Sequence, residues 1–94
     1  LENYSQEITL ERAAAHCGYS RYYFAHRFRE AANITFMEYV TLYRLEKAAM
    51  LLRVTGESLT NIAFSCGFGS VRTFNRMFAR RFSMPPTQYR NQQP

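Results

Sequence analysis

The 94 residues are 47% hydrophobic and 16% aromatic with 20% charged, which is too apolar for a disordered tail and too short for a second independent core. No apolar run approaches the roughly 20 residues that cross a bilayer, and no charged start, apolar stretch and small-residue cleavage site marks a signal peptide, so a soluble, cytoplasmic protein is expected. A net charge of +5 and a pI near 9.6 point to a polyanionic partner.

The chain opens on Leu1 rather than Met and runs directly into patterned sequence, which suggests a fragment of a longer protein with any sensory domain missing. Thr9 is placed to cap a short helix to about Cys17, with Glu11 and Arg12 in its opening turns, and Gly18 can end it in a left-handed conformation. Ser20 then caps a second helix, about 20–31, on which Phe24, Phe28 and Ala31 form one apolar stripe. Thr35 with Glu38 three residues on forms a capping-box signature, opening one long helix over 35–54 that Gly56 follows. Phe36, Tyr39, Val40, Tyr43, Ala48, Leu51 and Leu52 give it apolar faces toward both sides. Its length, about 20 residues at about 1.5 Å each, makes a strut of roughly 30 Å. Ser58 or Thr60 opens the next helix, Gly67 stops it, and Ser70 caps a helix over about 70–82 with Phe74, Met77, Phe78 and Phe82 inward.

The chain is a duplication. Leu10, Ala14, Cys17, Gly18 and Tyr19 align with Leu59, Ala63, Cys66, Gly67 and Phe68 at an offset near 50, and after one inserted residue Phe24, Phe28 and Tyr39 align with Phe74, Phe78 and Tyr89. Ala14 and Ala63, each four positions before a glycine, stand where two helices must cross closely. A small residue, a glycine at plus four and a bulky apolar residue ten or eleven further on from the alanine form the helix-turn-helix pattern. The fold expected is all-α, with two helix-turn-helix subdomains (homeodomain-like lobes, about seven helices in all) joined by the long helix. The whole of 1–94 reads as one DNA-binding domain, with a first lobe at about 1–34, a linker helix at about 35–54 and a second lobe at about 57–94.

Tyr39-Val40, Arg44-Leu45, Ala48, Leu51 and Leu52 resemble the linker-helix signature of AraC/XylS-type transcription regulators. In the second half, Ile62-Ala63, Cys66-Gly67-Phe68, Phe74-Asn75-Arg76-Met77-Phe78 and Pro85-Pro86-Thr87-Gln88-Tyr89-Arg90 follow in that family's order and spacing. The chain departs from the pattern at Asn33 and Ser83, where members usually place glycine, and at Ala79, where a basic residue is common and a phosphate contact is therefore expected to be absent. The resemblance implies sequence-specific binding of double-stranded DNA for transcription regulation, with the two recognition helices in successive major grooves. It further implies RNA polymerase as a possible second partner, a sensory or dimerisation domain outside this chain, and no membrane partner.

Stepping 100° per residue from Phe24 puts Tyr22, His26 and Arg29 on the side away from the core, with Ala25 flanking. Recognition helices read bases from their N-terminal turns, so Tyr22, Ala25 and His26 are expected at base edges and Arg21 and Arg29 nearer phosphates; the resemblance points to the same three base-reading positions. The same stepping from Phe74 turns Arg72 and Arg76 outward, with Thr73, Asn75 and Arg80 alongside. An arginine fork pairs with guanine O6 and N7, which makes Arg72 or Arg76 the expected guanine reader. Residues 1–57 hold seven acids and seven bases, whereas 58–94 hold Arg72, Arg76, Arg80, Arg81 and Arg90 and no acid. Arg81 lines up with the core stripe and is expected to snorkel its head to the surface. Arg44 is expected to pair locally with Glu38 or Glu46, or to orient the lobes.

Cys17 and Cys66 are too few for a disulfide framework or a four-ligand zinc site and are read as buried reduced thiols; His16 is read as a capping or exposed residue rather than a metal ligand. No metal or cofactor is called for, and no nucleophile with a base and no carboxylate pair stands at workable spacing, so an enzyme is not expected. The competing reading is a helical protein-interaction adaptor that keeps the helix-turn-helix shape, against which the acid-free second lobe argues. RNA is less suited, since sequence-specific RNA modules stack single-stranded bases on aromatics.

Overall fold

A computed structural model of the chain describes residues 9–16, 18 and 20–92. Six α-helices run in order: α1 (Leu10–His16), α2 (Arg21–Ala32), α3 (Phe36–Val54), α4 (Leu59–Ser65), α5 (Val71–Phe82) and α6 (Pro86–Gln92). No strand occurs among the described residues, and the overall extents are 44 × 22 × 22 Å. Six helices stand against the expected seven or so, with residues 1–8 and the Cys17 thiol outside the described part. No helix is long and apolar enough to cross a membrane among those residues.

Helices α1 to α5 each start where a short polar side chain can satisfy an orphan amide. Thr9 Oγ1 accepts from Arg12 N–H at 3.1 Å, Ser20 Oγ from Tyr23, Ser58 Oγ from Asn61 and Ser70 Oγ from Thr73, each also at 3.1 Å. Of the two candidates for opening α4, Ser58 is the cap. The capping box of α3 is complete: Glu38 N–H donates to Thr35 Oγ1 at 3.1 Å and Thr35 N–H donates to Glu38 Oε1 at 2.9 Å. Pro86 sits in the first turn of α6, where its missing N–H leaves no bond unmade.

The turns depend on left-handed backbone. Gly18 (φ 76°) and Gly67 (φ 95°) end α1 and α4 without a Cβ clash. Asn33 (φ 61°) and Ser83 (φ 63°) adopt the same region after α2 and α5, and their N–H groups donate to Arg29 O at 2.9 Å and Ala79 O at 2.8 Å. Ser83 thus holds the turn that a glycine usually makes, at the cost of strain a glycine avoids.

Packing is strongest around the second repeat. Leu45, Ala48, Ala49 and Leu52 of α3 enclose a core with Ile62, Ala63, Cys66, Phe68, Phe74 and Phe78. A chain of rings fills it, with centroid separations of 5.2 Å for Phe68–Phe74, 5.7 Å for Phe74–Phe78 and 5.3 Å for Phe78–Tyr89. At the other end of α3, Phe24 and Phe28 meet Phe36 edge-on at 5.4 and 5.3 Å, and Phe28 meets Tyr39 at 5.6 Å. Phe24 and Phe28 of the α2 stripe therefore face inward, half-buried, whereas Ala31 is exposed in the last turn, and α2 has no fully buried residue. Ala14 and Ala63 are buried at 1% and 0% exposure, as the close helix crossing in each repeat requires. The Cys66 thiol is buried and its pKa is raised, first by burial, which keeps it neutral and unreactive.

Three polar ties bind α5 and α6 to α3. Arg81 donates to Glu46, Arg53 Nη1 donates to the Tyr89 hydroxyl at 2.7 Å, and Arg90 donates through Nε to Leu52 O at 3.2 Å and through Nη2 to Thr55 O at 3.3 Å. Arg90 thereby satisfies carbonyls that the end of α3 leaves open and brings a cation to the negative end of its dipole. Arg81 does carry its head to the surface, where Glu46 receives it. The Glu38 carboxylate receives the Thr35 amide and that of Glu46 receives Arg81, while Arg44 is partly buried on α3.

Candidate nucleic-acid interface

The first candidate face belongs to α2. Tyr22, Ala25, His26 and Arg29 line one shallow groove together with Glu30, the grouping that 3.6-residue periodicity requires of residues three and four apart. Tyr22 is 90% exposed, an aromatic side chain projecting from the second position of the helix with no core to fill. Ala25 is half-buried and lines the groove with its methyl group. Arg21 is exposed at the first helical position, next to the Ser20 cap.

Charges on this face are mixed. His26 Nε2 lies 3.5 Å from Glu30 Oε1, and Arg27 Nη1 lies 3.9 Å from the same oxygen. Glu38, at the start of α3, has its pKa lowered first by the Thr35 backbone N–H, then by the Thr35 hydroxyl, with Arg29 adding to the same direction. The first lobe therefore offers a tyrosine, a methyl group and an imidazole beside three arginines and one glutamate of the same helix.

The second face belongs to α5 and differs in kind. Phe74 and Phe78 are fully buried against α3 and α4, while Arg72, Asn75, Arg76 and Arg80 are exposed. Arg72 and Arg76 are four apart and share a stripe one turn deep, and Arg80 extends it by another turn. No acidic partner for Arg72, Arg76 or Arg80 occurs among the described residues, so their forks are open to an external anion. Thr73 is half-buried, and its hydroxyl accepts from Ser70 Oγ at 3.0 Å, drawing it into the cap. Of the five arginines in 58–94, two are committed inside the protein: Arg81 to Glu46 and Arg90 to the end of α3.

The comparisons with known proteins bear on both faces. A family model for a helix-turn-helix domain matches residues 13–92, which contain both faces and the helix between them. The regulatory protein SoxS of Salmonella typhimurium is 36% identical over 90 residues, covering 96% of this chain and 84% of SoxS. The chain belongs to the AraC/XylS family. A transcriptional regulator with an AraC-type DNA-binding domain from Chromobacterium violaceum superimposes with a TM-score of 0.92 at 26% identity, covering 97% of this chain and 81% of that one. The DNA-binding domain of the global transcriptional factor AdpA, solved in complex with a target DNA, gives a TM-score of 0.90 at 28% identity, covering 96% and 81%. As an AraC/XylS DNA-binding domain the chain serves sequence-specific DNA binding in transcription regulation.

Sequence reasoning passed over Glu30, whose spacing from Arg27 and His26 is that of helical neighbours and was readable. It also passed over the roles of Arg53, Tyr89 and Arg90, which join residues 36 and 38 positions apart and carry no local signal.

Proposed function

We propose that this AraC/XylS domain reads one duplex through both faces, with α2 and α5 in successive major grooves. The lobes divide as about 1–34 and 57–94 around the linker helix. The observation that carries the reading is the arginine stripe of α5, three exposed forks on one side of a helix whose opposite side buries Phe74 and Phe78. Two recognition helices at either end of a 19-residue helix, in a molecule 44 Å long, suit grooves one turn, roughly 34 Å, apart. The complex of the AdpA domain with its target DNA supports the same partner here.

In this reading Arg72 and Arg76 form bidentate bonds to guanines, Arg80 pairs with phosphate, and Asn75 and Thr73 flank them. On α2, Tyr22, Ala25 and His26 meet base edges through ring, methyl and one hydrogen bond, while Arg21 and Arg29 hold phosphates. Binding, not catalysis, is the activity. The protein works in the cytoplasm, contacts RNA polymerase in regulating transcription, and receives its signal from a domain outside this chain.

Footprinting on a selected duplex tests the reading. Protection over about two consecutive helical turns is expected. Saturating protein that protects a single half-site, or that binds single strands and RNA as well as duplex, contradicts it.

A further inference from the structure

We propose that Glu30 is a specificity-determining residue that lowers the affinity of the first lobe for DNA of arbitrary sequence; this rests on the reading of α2 as a recognition helix. Glu30 is the sole acid on α2, and its carboxylate lines the same groove as Tyr22, Ala25, His26 and Arg29. It is 56% exposed, and the side chains it meets, Arg27 at 3.9 Å and the His26 imidazole at 3.5 Å, are on its own helix and are themselves 66% and 73% exposed. Such pairs are loose and solvated, and they do not bury or permanently neutralise the charge.

Bringing this groove against a duplex therefore sets a carboxylate against phosphates. The encounter carries a repulsion and a desolvation cost that are the same for every sequence. The cost is offset only where the site presents a hydrogen-bond donor to the carboxylate, and in the major groove the N4 amino group of cytosine is the donor suited to a glutamate. The α5 face carries no acid at all, so the two faces discriminate by different means. The second lobe gains affinity on a matching guanine, and the first withholds affinity from a mismatched site.

The test uses the full chain on two probes: a random-sequence duplex of about 24 base pairs, just over two turns, and the tightest duplex selected by the wild type from a randomised pool. Glu30→Gln keeps the shape and removes the charge, Glu30→Lys reverses it, and Glu57→Gln removes an exposed acid from the loop before α4 as a control for net charge. Melting curves confirm that each variant is folded. Glu30→Gln is expected to tighten random-duplex binding on the order of fivefold at low salt, with Glu30→Lys tightening it further. Both are expected to narrow the ratio between selected and random duplexes, and Glu57→Gln to change neither. Unchanged random-duplex affinity in Glu30→Gln, an equal gain in Glu57→Gln, or an unchanged ratio overturns the proposal. A wild type that shows no salt-dependent duplex binding instead overturns the reading of the protein as a DNA binder.

Discussion

Arg81 and Glu46 meet at 2.5 Å across the junction of α5 and α3, and the same guanidinium lies 4.7 Å from the ring centroid of Phe82. A residue on the core-facing side of α5 is thereby fastened to α3, and its charge is withdrawn from the side that carries Arg72, Arg76 and Arg80. Both side chains remain about half exposed, so the pair orients more than it stabilises. Arg90 works differently, since its two donors serve part-buried carbonyls at the end of α3.

These two ties are expected to differ in energy. Glu46→Gln should cost no more than about 1 kcal/mol. Arg90→Ala leaves the Leu52 and Thr55 carbonyls without their donor and should cost about 1–3 kcal/mol. Urea unfolding of both variants checks the order; a larger loss in Glu46→Gln than in Arg90→Ala contradicts it.

Ala63 is fully buried in α4, in the same core as the fully buried Phe74 and Phe78 of α5. Ala63→Leu should overpack the crossing and cost about 1–3 kcal/mol. An unchanged melting temperature is the contrary result.

Ser83 holds a left-handed conformation at φ 63° with a side chain that gains nothing from it. Ser83→Gly should relieve that strain and raise stability by up to about 1 kcal/mol, the entropy lost by glycine offsetting part of the gain. Ser83→Val should instead destabilise, because a β-branched residue is least tolerant of positive φ. Thermal melts that rank valine at or above glycine contradict the assignment.

The capping box of α3 carries a pH dependence with a definite sign. The Glu38 carboxyl titrates below its ordinary value because the Thr35 amide, and then the Thr35 hydroxyl, stabilise the anion. Its contribution is complete above the ordinary carboxylate value, about 4.3, and is lost as pH falls through the lower folded value. Glu38→Gln should therefore be less stable than the wild type at neutral pH, and the gap should shrink on acidification. A gap that widens as pH falls contradicts the cap.

Much of this architecture was legible because its signals are local. Thr9, Ser20, Thr35 and Ser70 cap the helices they were read to cap, and Gly18 and Gly67 take the positive φ that their place in the repeat requires. The outward grouping of Tyr22, His26 and Arg29 follows from helical periodicity alone, and they do share a groove. What was not legible is non-local. Arg81 was read to carry its head to the surface, but its partner Glu46 lies 35 positions away and is set only by the packing of α5 on α3. The half-burial of Phe24 and Phe28 was hidden for a similar reason, since a stripe specifies which side faces inward and not how much covers it.

The central claim is that the two faces divide the work: α5 supplies most of the charge-driven affinity and reads guanine, and α2 selects through Tyr22, Ala25 and His26. Each neutralised phosphate contributes about 0.9 to the slope of log affinity against log salt. Salt titrations of Arg80→Ala, Arg76→Ala and Tyr22→Ala, each on a selected and a random duplex, test the division most directly. Arg80→Ala should lower the slope by up to about 1 on both duplexes. Arg76→Ala should cost roughly 1–3 kcal/mol on the selected duplex and flatten discrimination at one base pair. Tyr22→Ala should alter preference in the other half-site with the slope nearly intact. A slope that falls as far in Tyr22→Ala as in Arg80→Ala, or an Arg76→Ala variant that weakens both duplexes equally, contradicts the account.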